Sequence, residues 1–209
     1  MLQDLKKEVR ELQNPEQAKI LSRFFKTGKG DYGEGDIFLG IKVSIQRKIA
    51  KKYIDLSFQE LQELLNSKIH EERLIALIIL TNQFKKAKKD KLKRRQIFEF
   101  YLKNTSRINN WDLVDLSAPT IVGGFLQKED TGILRELAKS SNLWERRIAV
   151  LSTFPFIRER KFGESLAISE MLMKDEHKSR ISSATKSQDA PTREQHKDFV
   201  GEHDLIHKA

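Results

Sequence analysis

The sequence predicts an all-α protein built as a helical-repeat solenoid, an α-α superhelix. Apolar residues recur at helical spacing through most of residues 1–174. Glu72-Arg73-Leu74-Ile75-Ala76-Leu77 is echoed by Glu145-Arg146-Arg147-Ile148-Ala149-Val150 at an offset of 73, and the only two tryptophans, Trp111 and Trp144, stand 33 apart. Those offsets fit a repeat in the mid-thirties. Helix pairs of that length stack side by side into a curved array with an extended concave face.

Each element follows from local signals. Leu2, Leu5, Val9 and Leu12 mark a first helix, and Asn14-Pro15 restarts a second with proline in its first turn. Residues 27–36, TGKGDYGEGD, hold four glycines and form a loop. No strand precedes them and no Gly-Lys-Ser/Thr ends them, so a phosphate-cradling P-loop does not fit. A DNA-contacting loop and a plain connector both do. Helices follow at about 44–53, 58–66, 70–87, 91–104, 110–126, 131–140, 143–158 and 164–174, and Ser57 with Glu60 has capping-box spacing. From Lys178 to His203 serine, threonine and charge replace the apolar periodicity, which reads as disorder. The expected division is a repeat domain over 1–177 and a separate segment over 178–209.

The formal charge is +9, from 39 Lys+Arg against 30 Asp+Glu. Residues 175–209 hold 6 Lys/Arg and 7 Asp/Glu, so the surplus lies in the repeat domain. A basic body favours a polyanion, with nucleic acid ahead of a membrane or an acidic protein. Zero cysteines exclude disulfides, thiolate catalysis and Cys-ligated metal centres. No apolar run is long enough to span a bilayer and the first residues lack a signal-like stretch, so a cytoplasmic location is expected.

The chemistry gathers at two segments, Asn109-Asn110-Trp111-Asp112-Leu113-Val114-Asp115 and Asn142-Leu143-Trp144-Glu145-Arg146-Arg147. Trp111 and Asp115 stand four apart on one helix face, and Trp144 and Arg147 three apart on another. An aromatic face, a carboxylate and a guanidinium on neighbouring helices suit a nucleotide. In the repeat echo Arg147 replaces Leu74, an apolar core position, which marks it as diverted to function or the echo as slipped by a turn. Asp115 lies between Leu113, Val114 and Leu116 and needs a partner or a purpose. A structural ion pair and a catalytic role both satisfy that need. Each tryptophan is equally readable as core. Arg146 is the neighbouring candidate for a phosphate contact, and Asp112 has a supporting place at the helix start. The runs Lys85–Lys89 and Lys91–Arg95 read as solvated helix ends, and the five histidines form no metal-ligand pattern.

These two segments, with Phe38-Leu39-Gly40-Ile41 and Asp204-Leu205-Ile206-His207-Lys208-Ala209, resemble the AlkD-like DNA alkylation repair proteins over roughly Pro15 to Lys174. The resemblance implies a HEAT-like repeat fold with a concave basic face. It implies a glycosylase for cationic N3- or N7-alkylated purines in duplex DNA, acting without metal or other cofactor and without an obligate protein partner. Asp115 then takes the catalytic aspartate position and Trp111 packs on sugar or lesion. Arg147 holds a backbone phosphate, and Trp144 and Arg146 flank the DNA. Such proteins are held to leave the lesion stacked rather than flipped. Removing residues 178–203 joins Glu176-His177 to Asp204 and restores a family-like run, so an insertion followed by a C-terminal truncation is expected. A catalytically silent DNA-binding repeat protein and a protein-interaction scaffold are the competing expectations.

Overall fold

In the computed structural model, which describes residues 1–174, every regular element is helical apart from one isolated bridge. Met1–Met173 form one compact unit. The boundary expected at 177 and the insertion expected over 178–203 lie outside the described residues. Among the described residues no helix is long and apolar enough to cross a membrane.

The helices start where the sequence places their signals. α1 (Leu2–Glu11) buries Leu2, Leu5 and Val9. α2 (Pro15–Phe24) is capped by Asn14, whose side chain accepts from the Gln17 N–H. α3 (Val43–Lys52) follows the glycine-rich loop, and α4 (Phe58–Leu65) opens with the Ser57–Glu60 capping box. α5 (His70–Lys86) is the centre of the molecule: all twelve residues from His70 to Thr81 are buried. A helix apolar on one face only would not be so enclosed. α5 packs against α3, α4, α6 (Lys91–Lys103) and α7 (Trp111–Ala118).

α7 does not end at Ala118. Pro119 has no N–H to give the Asp115 carbonyl, and its ring crowds that turn. The chain widens into a π-turn over Pro119–Gly123 before one more α turn, α8 (Gly124–Leu126). α9 (Gly132–Lys139) and α10 (Leu143–Leu151) pair next. The helix expected over 143–158 is broken at Ser152 and Thr153, because Pro155 favours a new first turn. α11 (Phe154–Arg158) begins there, and α12 (Gly163–Met173) completes the unit. This is an all-α helical-repeat fold. Its successive inner helices α5, α7 and α10 lie side by side, α5 on α7 and α7 on α10.

The Phe38–Ile41 segment is fastened to α5 by a buried carboxylate. Glu71, fully buried, accepts from the backbone N–H groups of Leu39, Gly40 and Ile41 at 2.8–3.3 Å. Gly40 sits at φ +81°, where a Cβ would lie 2.2 Å from the Asn14 carbonyl oxygen and 2.6 Å from the Ala18 nitrogen. Only glycine lets this turn close against α2. Ile37 forms the isolated parallel bridge to Ile69 beside it.

Candidate functional site

α7 joins two neighbours: its first turn meets the start of α5 through Asp112 and His70, and its second turn meets α10 through Asp115 and Arg147. Asn110 and Asn142, both extended, cap α7 and α10 by accepting from the Trp111 and Trp144 N–H groups at 2.8 and 2.9 Å. Each cap fixes the tryptophan at the head of its helix.

Trp111 and Asp115 share one face of α7, as their spacing predicts. Asp115 is exposed, and its two carboxylate oxygens accept from Arg147 Nε and Nη2 at 2.7 Å each. Both side chains keep about four-tenths of their surface, 38% for Asp115 and 40% for Arg147. The hydrogen bonds it donates to Asp115 hold the Arg147 guanidinium above its ordinary pKa despite its partial burial. Leu74, the echo of Arg147, is buried in the core. The repeat therefore does substitute a solvent-facing cation for a core leucine at this position.

Arg146 occupies different surroundings. It is 8% exposed and donates from Nη1 to the Ser140 and Ser141 carbonyls at the end of α9. Glu145 accepts from Thr105 Oγ1 at 2.6 Å and from Ser140 Oγ, so it ties the α9–α10 turn to the end of α6. The basic run Lys91–Arg95 is likewise engaged. Lys93, Arg94 and Arg95 lie over the rings of Phe58, Phe84 and Phe125, and Arg94 donates to the Gly124 carbonyl at 2.7 Å.

Trp111 is half-buried. Phe25 stacks on it at 5.2 Å and 20°, and Phe24 meets it edge-on at 5.8 Å. Phe25 in turn stacks on Phe38, and Phe38 on His70. Trp144, also half-buried, is met edge-to-face by Tyr32 at 5.6 Å.

Beneath Trp111 lies a polar cluster that sequence reasoning missed. His70 Nε2 is 2.8 Å from Asp112 Oδ2, and its Nδ1 is 3.3 Å from Asp36 Oδ2. Arg73 Nη2 donates to the same Asp36 oxygen. Burial opposes the charged imidazolium, but the charge and hydrogen bond of Asp112, with Asp36, outweigh it and hold the His70 pKa up to about 9. Burial likewise opposes ionised Asp36, and hydrogen bonds from His70 and Arg73 outweigh it and lower its pKa. Asp112 thus carries the supporting role expected of it, bonding to the Leu113 N–H through one oxygen and to His70 through the other. His70 lies 42 residues upstream of Asp112 and Asp36 a further 34 upstream of His70, beyond any local pattern. Among the described residues no cluster of three or more His, Asp or Glu side chains is arranged to hold a metal.

A profile of the DNA alkylation repair enzyme family matches residues 5–185, which takes in every residue of this site. The chain belongs to that family. No curated protein matches it. For a DNA alkylation repair family the partner suggested is DNA.

Proposed function

We propose that this DNA alkylation repair enzyme is a glycosylase that hydrolyses the N-glycosidic bond of cationic N3- or N7-alkylated purines in duplex DNA. The observation that carries the reading is the Asp115 carboxylate, exposed in the second turn of α7 with Trp111 one turn before it and Arg147 locked against both its oxygens.

The chemistry asks little of a general acid. The C1′–N electrons leave with the purine and cancel its positive charge. The deoxyribose becomes oxocarbenium-like, and a fixed carboxylate stabilises charge where it develops. Water adds its oxygen to C1′ and gives up a proton to Asp115 or solvent. Carboxylates serve the same transition state in glycoside hydrolysis. The Arg147 fork has five N–H donors, and Asp115 takes two. The remainder can bind a backbone phosphate while the carboxylate stays oriented, so one residue fixes both the acid and the DNA register. Trp111, braced by Phe24 and Phe25, offers its uncovered side to sugar or lesion. Trp144 extends the contact with the strand. Arg146, turned to the Ser140 and Ser141 carbonyls, serves this site by holding the α9–α10 turn.

A catalytically silent DNA-binding role is the second reading, and the pairing of Asp115 with Arg147 favours it, since a paired carboxylate is also a structural motif. Release of free methylated base from methylated duplex DNA separates the two. Activity in the parent with loss in Asp115→Asn supports the glycosylase. Binding without release supports the silent module.

A further inference from the structure

The offset of 73 that relates the two repeat segments also sets His70 against Leu143, and each opens its helix, α5 and α10. Leu143 is 41% exposed, whereas His70 is 2% exposed. The arginines that follow differ in the same way. Arg146 donates to the Ser140 and Ser141 carbonyls, whereas Arg73 donates to the Asp36 carboxylate. An inner helix of this repeat therefore starts well without an imidazole. A buried charge cluster is a weak source of stability, so the one at the head of α5 calls for a second purpose.

The His70 ring is engaged at both nitrogens, Nε2 at 2.8 Å from Asp112 Oδ2 and Nδ1 at 3.3 Å from Asp36 Oδ2. Neutral imidazole carries one N–H, so one carboxylate would then face a lone pair. Only the imidazolium donates to both. The charged groups facing the ring are Asp36 from the loop, Asp112 from α7, and Arg73 one turn along α5, whose Nη2 lies 3.5 Å from Nδ1. Arg73 opposes the charge on the ring and the two carboxylates favour it.

His70 reaches Trp111 by two routes. Asp112, the next residue along α7, accepts from its own helix at the Leu113 N–H with one oxygen and meets His70 with the other. Phe25 touches both rings, His70 at 5.2 Å and Trp111 at 5.2 Å. The buried residues of α7 begin at Leu113, so beyond the Asn110 cap its first turn takes its place from these contacts.

We propose that His70 is a positioning residue: without touching DNA, its doubly protonated ring holds the first turn of α7 so that Trp111 and Asp115 meet the substrate in register. This rests on the glycosylase reading and adds to the site a residue that lies beneath it.

Single-turnover release of 7-methylguanine from methylated duplex DNA is measured from about pH 6.5 to about pH 10 for the parent, His70→Gln and Asp36→Asn, each shown by circular dichroism to stay folded across the window. At neutral pH His70→Gln should lose roughly ten- to a hundredfold in rate while duplex affinity stays within about threefold. The parent's rate should fall along an alkaline limb near pH 9. Asp36→Asn removes a carboxylate that holds the proton and should move that limb to lower pH, and His70→Gln should lack it. A residue needed only for folding would leave the rate of folded protein flat. Should His70→Gln fail to fold, the shifted limb of Asp36→Asn carries the test. Acrylamide quenching of Trp111 in a Trp144→Phe background needs no catalysis, and Trp111 should become more accessible over the same limb. A flat parent profile, or a limb that both variants leave in place, overturns the inference alone. A parent that releases no base overturns the glycosylase reading, and the quenching step then decides whether His70 places Trp111: without a step the inference falls as well.

Discussion

At the scale of single residues, Asp115 and Arg147 form the unit on which the proposed chemistry depends. Asp115→Asn keeps the shape but removes the charge, and base release should fall by about 10²–10³. Arg147→Ala removes both the phosphate contact and the carboxylate's anchor. It should lower release and duplex affinity together, whereas Arg147→Lys should restore part of the affinity and little of the rate. His70 makes a separate, pH-linked prediction. Its folded pKa, about 9, lies above the ordinary value of 6.5, so the paired form is the protonated one. The stabilisation is complete below pH 6.5 and is lost as pH rises through 9, a change of up to ~3 kcal/mol. Melting temperature measured across that window should fall in the parent and stay flatter in His70→Gln. A fall of equal size in both would place the titration elsewhere.

The same scale shows what the sequence could reveal. Trp111, Asp115, Trp144 and Arg147 are legible because spacings of three and four put them on helix faces. The contact between Asp115 and Arg147 spans 32 residues and is visible only through the repeat period. His70, Asp36 and Tyr32 carry no such signal. They reach the site through a loop and a helix start that tertiary packing alone brings together.

At the scale of elements, the Glu71 clamp and the π-turn position the site. Glu71→Ala leaves three backbone N–H groups without their acceptor, two of them in buried residues, and should cost at least ~3 kcal/mol. Denaturant unfolding measures it, and Glu71→Gln, which keeps one acceptor, should cost less. Helix positions follow from apolar spacing and caps, as with Asn14, Ser57 and Asn110. Two interruptions did not show in that pattern. The apolar run passes unbroken through Pro119, where the helix widens instead of stopping, and through Ser152-Thr153, where Pro155 starts a new turn. In both cases backbone hydrogen bonding at a proline decides the geometry, and side-chain periodicity does not register it.

At the scale of the whole molecule, the surplus of positive charge belongs to a sequence whose described part is a helical-repeat unit. Three of the four cations in the conspicuous basic run Lys91–Arg95 lie over aromatic faces, so charge counting alone overstates what that run can offer a polyanion. Duplex affinity should fall steeply with salt, log K against log [salt] having a slope of about −0.9 per phosphate contact. Arg147→Ala should reduce that slope by about one contact. An unchanged slope would put the phosphate contact on another residue.

The most direct test of the account is release of free 7-methylguanine from methylated duplex DNA by the parent and by Asp115→Asn, with duplex binding measured on both. Release by the parent, loss of at least about a hundredfold in the variant, and similar binding by each are expected. Equal release by both proteins, or binding without release by the parent, would contradict it.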